Sequence, residues 1–106
     1  MSQHVLDQLF LVIEGRKGAD PDSSYTAKLF AKGRKKIAQK VGEEGLETAI
    51  AAVAETPADI VSESADLLYH LLVLWADAGL TPSDVWAELA RRQGLSGIAE
   101  KNSRPK

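Results

Sequence analysis

The sequence predicts an all-α fold, a helical bundle of about five helices in one chain of 106 residues. Apolar residues recur at helical spacing in long segments, and no segment shows the alternation of strands joined by hairpin turns. Gly, Pro, Asp and Ser separate the helical segments from one another. The length fits a single domain, residues 1–106, whose last residues, 95–106, form a polar C-terminal tail.

The first two predicted helices are short. Apolar residues spaced over 5–13 indicate a helix of about four turns that ends near Gly15. A loop rich in Gly, Pro, Asp and Ser follows, and either Ser23 or Ser24 is suited to cap the second helix. That helix is expected to stop around Gly33.

Prolines mark the starts of the later helices. The third helix is predicted over about 34–55, and Pro57 then begins a fourth helix that runs to about Ala78. Pro82 begins a fifth helix that ends near Gln93. Two prolines that follow threonines therefore divide the second half of the chain into three helices.

The fourth helix is apolar around more than half of its circumference, at 100° per residue. The residues responsible are Leu67, Leu68, Leu71, Leu72, Leu74 and Trp75. A helix of this kind must be buried on several sides, which one small chain does poorly. We therefore expect a homodimer that is built on this fourth helix and completes the core, and a central core helix within one chain is the alternative. Trp75 and Trp86 are interpreted as core residues rather than as platforms for stacked bases.

Composition excludes several classes of function. Thirteen basic and 15 acidic residues give a net charge of −2, which disfavours binding to nucleic acid or to a membrane surface. The chain has no cysteine, so disulfides, zinc–thiolate sites and thiol nucleophiles are excluded. Its longest apolar run is too short for a membrane span, and the N-terminal residues do not resemble a signal peptide. We expect a cytoplasmic protein.

Five carboxylates form the main functional pattern. Glu43, Glu44 and Glu47 share one face of the third helix, and Glu63 and Asp66 lie one turn apart on the fourth. Two antiparallel helices joined by a short turn could bring both sets together. Clustered oxygen ligands of this kind favour Mg²⁺ or Mn²⁺. The alternative is a solvated acidic face, which the position of Asp66 at the start of the apolar run disfavours.

A set of basic residues precedes the carboxylates. It comprises Lys28, Lys32, Arg34, Lys35, Lys36 and Lys40, and all of these except Lys35 are assigned to substrate phosphate. On a continuous third helix, Lys36 and Lys40 share an arc of about 100° with the glutamates, so phosphate could span the junction of the two charges. Local salt bridges are the alternative. His70 shares the face of Asp66 and could be a ligand, although a core histidine is the more common case.

Four segments of the chain resemble the phosphoribosyl-ATP pyrophosphohydrolase family of histidine biosynthesis, part of the all-α nucleotide pyrophosphohydrolase superfamily. They are Ser24–Phe30, Gly33–Glu44, Glu63–His70 and Ser96–Arg104. The acidic pattern is common to the superfamily, whereas the first segment, the end of the second and the tail segment resemble the histidine enzyme specifically. The resemblance covers nearly the whole chain.

The resemblance implies Mg²⁺-dependent hydrolysis of the α–β phosphoanhydride of phosphoribosyl-ATP, a small nucleotide substrate, to phosphoribosyl-AMP and pyrophosphate. It implies that Glu44, Glu47, Glu63 and Asp66 hold metal, which leaves Glu43 to orient or deprotonate the attacking water.

In the tail, the resembling segment contains Lys101 and Arg104, for which we expect contacts with substrate. Four ligand charges also predict more than one Mg²⁺ per site. The remaining alternatives are a house-cleaning nucleoside triphosphate pyrophosphohydrolase and a non-catalytic helical dimerisation module.

Overall fold

A computed structural model describes residues 4–93, which form five α-helices connected by short turns and one longer loop. The helices are α1 (Val5–Glu14), α2 (Tyr25–Lys32), α3 (Arg34–Ala54), α4 (Pro57–Asp77) and α5 (Pro82–Arg92). Residues 4–93 contain no strand. The predicted all-α class and the number of helices are confirmed.

Capping residues set the helix starts. Ser24, the second of the two candidate serines, accepts a backbone hydrogen bond from the first turn of α2. At α4 a capping box joins Thr56 and Asp59, each side chain accepting from the backbone of the other residue. At α5 the Thr81 N–H donates to the Asp84 carboxylate at 2.8 Å. The side chains that define these boundaries are local in sequence, which is why the boundaries are predictable.

Gly33 joins α2 to α3 without a loop. Its φ of +95° lies in the region that residues with a side chain rarely adopt. The chain therefore changes direction between Lys32 and Arg34 in a single residue, and α2 packs back against both α3 and α4.

The longest helices, α3 and α4, form an antiparallel hairpin. The apolar core lies at the end of this hairpin where α3 begins and α4 ends, and α1 and α2 cover it there. Its buried members are Phe10, Ile13, Leu29, Ile37, Leu72, Val73 and Ala76. The last helix, α5, packs against α1, and its Trp86 ring meets Trp75 of α4 edge to face at 6.0 Å.

The other half of the hairpin, towards the connection at Thr56, is covered by little of the described chain. Ala51 is its buried apolar residue within residues 4–93. Leu46, Ile50 and Val53 are exposed along one side of α3, which we call the hairpin face, and Val61 and Leu68 are exposed on α4. Val53 is 87% exposed and Val61 is 71% exposed. The uncovered apolar surface therefore lies on both long helices and not on α4 alone.

None of the helices between residues 4 and 93 is both long enough and apolar enough to cross a bilayer.

Candidate active site

Three carboxylates meet where the two long helices face each other. Glu44 of α3 and Glu63 and Asp66 of α4 each place one oxygen within 4.8 Å of the others. Glu44 is buried, Glu63 is half-buried and Asp66 is exposed. The antiparallel hairpin thus brings together residues from both sequence-predicted acidic sets, and the group opens to solvent on the side of Asp66.

Glu47 strongly perturbs this group. A hydrogen bond with Glu47, burial and the charges of Glu47 and Asp66 raise the pKa of Glu44 to about 7. Burial and the charges of Glu47 and Asp66 also raise the pKa of Glu63. The fold therefore holds these carboxyl groups closer together than their charges favour, and bound positive charge would relieve the repulsion.

An open pocket lies beside the carboxylates. It has a volume of about 180 Å³ and is lined by Glu47, Ile50, Glu55 and Glu63. Glu47 and Glu63 belong both to the pocket wall and to the electrostatic neighbourhood of Glu44. The pocket therefore extends the acidic site towards the hairpin face.

Glu43 has different partners from the other acidic residues. It is exposed, accepts a hydrogen bond from the Gln39 amide at 2.9 Å and pairs with Lys40 at 3.3 Å. These two contacts and the nearby charge of Lys36 lower its pKa. Glu43 is not one of the three converging carboxylates, and its carboxylate stays ionised at neutral pH.

Lys40 is the predicted cation that the structure places nearest to the carboxylates. Its hydrogen bond with Glu43 raises its pKa, as do the nearby Tyr25, Glu43 and Glu44, against an opposing effect of burial. Lys36 is close enough to act on Glu43. Lys36 and Lys40 therefore lie where the cationic part of α3 meets its anionic part.

The other predicted cations lie further along the chain towards its N-terminus. Lys28 and Lys32 are exposed on α2. Arg34, at the start of α3, donates from Nε to the Asp77 carboxylate at 2.6 Å and from its guanidinium to the Asp77 carbonyl at 3.2 Å. The structure therefore pairs Arg34 with the end of α4 and does not bring it to the carboxylates. Lys101 and Arg104 lie outside the described residues.

His70 is a buried side chain with two partners. Its Nδ1 lies 2.8 Å from the Asp66 carbonyl, which can only accept, so Nδ1 carries the proton. In the neutral ring, Nε2 then accepts from the Tyr25 hydroxyl at 3.3 Å. His70 is not part of the group of converging ligand atoms. It connects α2 to α4 one turn away from Asp66.

The sequence reasoning did not single out Thr48. Its hydroxyl donates to the Glu44 carbonyl at 2.7 Å and lies 3.2 Å from the Glu63 carbonyl on the opposite helix. The sequence indicates only that Thr48 lies one turn after Glu44, on the side of α3 that faces α4. Nothing in the sequence alone identifies its partner on α4.

The chain is similar to a known protein family and to several known proteins. The family described as "Phosphoribosyl-ATP pyrophosphohydrolase" matches residues 6–93. A protein of Paramagnetospirillum magneticum named phosphoribosyl-ATP pyrophosphatase is 66% identical over 102 residues, which cover 96% of this chain and 94% of that protein. Proteins of the same name from Azospirillum brasilense and Rhodospirillum rubrum are 64% and 62% identical. These matches cover 98% and 96% of this chain, and 94% and 87% of the relatives.

Proposed function

The chain belongs to the phosphoribosyl-ATP pyrophosphohydrolase family, and we propose that it hydrolyses the α–β phosphoanhydride of phosphoribosyl-ATP in histidine biosynthesis. The products are phosphoribosyl-AMP and pyrophosphate. It is an enzyme, a hydrolase, like its curated relatives. The observation that carries the proposal is the convergence of Glu44, Glu63 and Asp66, because a polyphosphate substrate requires a site that can hold divalent cations.

The donor set fits Mg²⁺, with Mn²⁺ as a substitute. All of its ligand atoms are carboxylate oxygens, the donors that hard cations prefer, and the raised pKa values of Glu44 and Glu63 indicate a deficit of positive charge. We propose that Glu44, Glu47, Glu63 and Asp66 hold the metal. When bound, Mg²⁺ would neutralise the phosphates and make the attacking water more acidic.

Charge supports more than one ion per site. Four ionised ligands carry a charge of about −4, so a single divalent cation leaves about −2, which repels an approaching polyphosphate. Two cations bring the ligands to neutrality. Titration of the protein with Mn²⁺ in the presence of a non-hydrolysable substrate analogue should therefore give a stoichiometry above one ion per chain.

Glu43 is proposed to orient or deprotonate the attacking water. Its lowered pKa keeps it ionised near pH 7 and able to accept a hydrogen bond, which supports orientation of the water more than removal of its proton. It lies immediately before Glu44 on α3 and pairs with Lys40, so its carboxylate belongs to the junction of the two charged regions.

The proposed phosphate-binding residues are the cations that precede the acidic site. They comprise Lys28, Lys32, Arg34, Lys36 and Lys40, with further contacts from Lys101 and Arg104 in the tail. The position of Lys40 beside Glu43 and Glu44 supports its assignment most directly. Arg34 would have to exchange its contact with Asp77 for substrate.

We further propose a homodimer built on the hairpin face. That face exposes Leu46, Ile50 and Val53 along one side of α3, and a row of exposed apolar side chains of this kind is typical of a surface that binds a partner. Because the pocket includes Ile50, a second copy on this face would also border the site. A two-fold interface lets the same face cover itself.

Assay of purified protein with phosphoribosyl-ATP and Mg²⁺ tests the function. Equal amounts of phosphoribosyl-AMP and pyrophosphate are expected. A preference for ATP or for non-standard triphosphates would favour the house-cleaning alternative, and failure to bind Mg²⁺ or Mn²⁺ would favour a non-catalytic helical module. The proposed reaction is expected in the cytoplasm.

A further inference from the structure

We propose that Thr48 is a positioning residue of the metal site, whose hydroxyl fixes the separation of the helix turns that carry Glu44 and Glu63. Thr48 touches no substrate in this account and acts through the main chain of two ligand residues. The inference rests on the function proposed above. It adds an uncharged residue to the charged side chains of the proposed active site.

The contacts of Thr48 connect the two helices at the carboxylates. Its Oγ1 lies 2.7 Å from the Glu44 carbonyl oxygen and 3.2 Å from the Glu63 carbonyl oxygen. The hydroxyl has one proton, and both carbonyls can only accept, so the two carbonyls share that proton. Thr48 is half-buried, which protects this shared bond from competition with water.

Only the second of these contacts is unusual. A helical threonine often donates to the carbonyl one turn earlier, so the contact with Glu44 requires no special explanation. The contact with Glu63 crosses from α3 to α4 over a sequence separation of 15 residues. This hydrogen bond therefore constrains the distance between α3 and α4 beside Glu44 and Glu63.

Apolar packing is weakest at this level of the hairpin. The large buried side chains between the helices, Ile37, Leu72 and Val73, lie at the opposite end. Within residues 4–93, Ala51 is the buried apolar residue of the half that carries the site. A small side chain allows close approach of the helices but does little to fix their relative position. At the other end of the hairpin, large buried side chains fix that position, and near the site the Thr48 hydrogen bond takes over this function.

Metal ligation makes the site sensitive to this distance. Glu63 and Asp66 lie one turn apart on α4 and move together, whereas Glu44 belongs to α3. The oxygens of all three residues lie within 4.8 Å of one another. Mg²⁺ requires oxygens at about 2.0–2.1 Å in near-octahedral geometry, so a small displacement of one helix would weaken ligation.

Two substitutions separate the hydroxyl from the shape of the side chain. Thr48→Val keeps the shape and removes the donor, while Thr48→Ser keeps the donor. Thr26→Val is the matched control because the Thr26 hydroxyl bonds the Tyr69 side chain and so links α2 to α4 without a contact to the main chain of a proposed ligand. The probe is Mn²⁺ alone, titrated by calorimetry without substrate, and the melting temperature of each metal-free variant is recorded beside it.

We expect Thr48→Val to raise the Kd for Mn²⁺ by about tenfold, the lower range for residues that orient metal ligands. Thr48→Ser and Thr26→Val should bind Mn²⁺ like the parent protein, although Thr26→Val should melt at a lower temperature. If Thr48→Val does not fold, Thr48→Ala takes its place with the same expectation.

Two results would overturn the inference while the proposed function stands. One is a Kd for Mn²⁺ in the Thr48 variant within about twofold of the parent value, since residues of this kind have larger effects. The other is an equal loss of Mn²⁺ affinity in Thr26→Val, which would make the effect a general consequence of destabilisation. A parent protein that binds no Mn²⁺ would instead overturn the metal-dependent function, and this inference with it.

Discussion

Glu44 and Glu47 lie one turn apart on α3 and share a hydrogen bond that, together with burial and like charge, raises the pKa of Glu44 to about 7. Two acidic side chains can share a hydrogen bond only when one of them carries a proton. Because this pKa is about 7, part of the metal-free protein at neutral pH carries the proton in a place that a divalent cation can take. Metal binding and this proton therefore compete for the same carboxyl groups, and this competition gives the site its expected dependence on pH.

Removal of a ligand charge should separate activity from stability. Glu47→Gln and Asp66→Asn are each expected to abolish hydrolysis, while the melting temperature of the metal-free protein stays the same or rises because a repelling charge is lost. Activity at saturating Mg²⁺ and thermal unfolding in EDTA measure the two effects. Near-normal turnover in either variant would show that the residue is not a ligand.

Glu88→Gln is the control for these two variants. Hydrogen bonds from Arg91 and Arg92 lower the pKa of Glu88 to about 2, so its ionised form is stabilised. The ionised forms of Glu44 and Glu63 are instead destabilised by their surroundings. This substitution should keep full activity and leave the melting temperature unchanged or slightly lower.

The stability of the metal-free protein should fall as the pH rises through the range in which Glu44 titrates. The pKa of Glu44 is raised from 4.5 to about 7, so between these values the folded protein holds a proton that the unfolded chain has released. The contribution of Glu44 is full below about pH 4.5 and is lost as the pH approaches about 7. The raised pKa of Glu63 acts in the same direction.

Urea unfolding in EDTA at about pH 5, 6, 7 and 8 measures this dependence. Comparison with Glu44→Gln isolates the residue, because the variant lacks the titrating group and should show a flatter profile. Identical profiles for the two proteins, or a stability of the parent that rises over this range relative to the variant, would contradict the assignment of the raised pKa to Glu44.

Lys40 should contribute to substrate affinity. Lys40→Gln removes the cation that lies beside Glu43 and Glu44, and we expect KM for phosphoribosyl-ATP to rise by about tenfold, which corresponds to one charge-assisted contact. Lys35→Gln is the matched control, since Lys35 is exposed on the same helix and has no assigned role. Equal KM values for the two variants would remove Lys40 from the phosphate-binding group.

The homodimer should depend on the hairpin face. Sedimentation at micromolar concentration is expected to give a species of twice the 11.4 kDa mass of the chain. Val53→Asp should shift it to a monomer, because a charge cannot be buried unpaired in an apolar interface. Leu11→Asp, at an exposed apolar position of α1, should leave the dimer intact. A parent protein that sediments only as 11.4 kDa would contradict the proposed assembly.

The features that the sequence predicts well are those set by local chemistry. The threonine–aspartate pairs at the starts of α4 and α5 define helix boundaries within four residues of chain. The spacing of Glu44 on one helix and of Glu63 and Asp66 on the next predicts their convergence, because an antiparallel hairpin has few ways to place them.

Other features depend on contacts between distant parts of the chain. Arg34 and Asp77 are separated by 43 residues, so no local pattern indicates that this predicted phosphate ligand is already paired. The raised pKa of Glu44 requires burial and the position of Asp66, which only the packed hairpin defines. The role proposed for Thr48 has no local sequence pattern for the same reason, since it depends on a contact with the opposite helix.

Quantitative analysis of products shows whether the protein releases pyrophosphate from phosphoribosyl-ATP. Purified protein is incubated with phosphoribosyl-ATP and Mg²⁺, and phosphoribosyl-AMP, pyrophosphate and inorganic phosphate are measured over time, with EDTA and Asp66→Asn as controls. The account predicts phosphoribosyl-AMP and pyrophosphate in equal amounts, no inorganic phosphate, and no turnover in either control. Release of inorganic phosphate in place of pyrophosphate, or turnover that persists in EDTA, would contradict it.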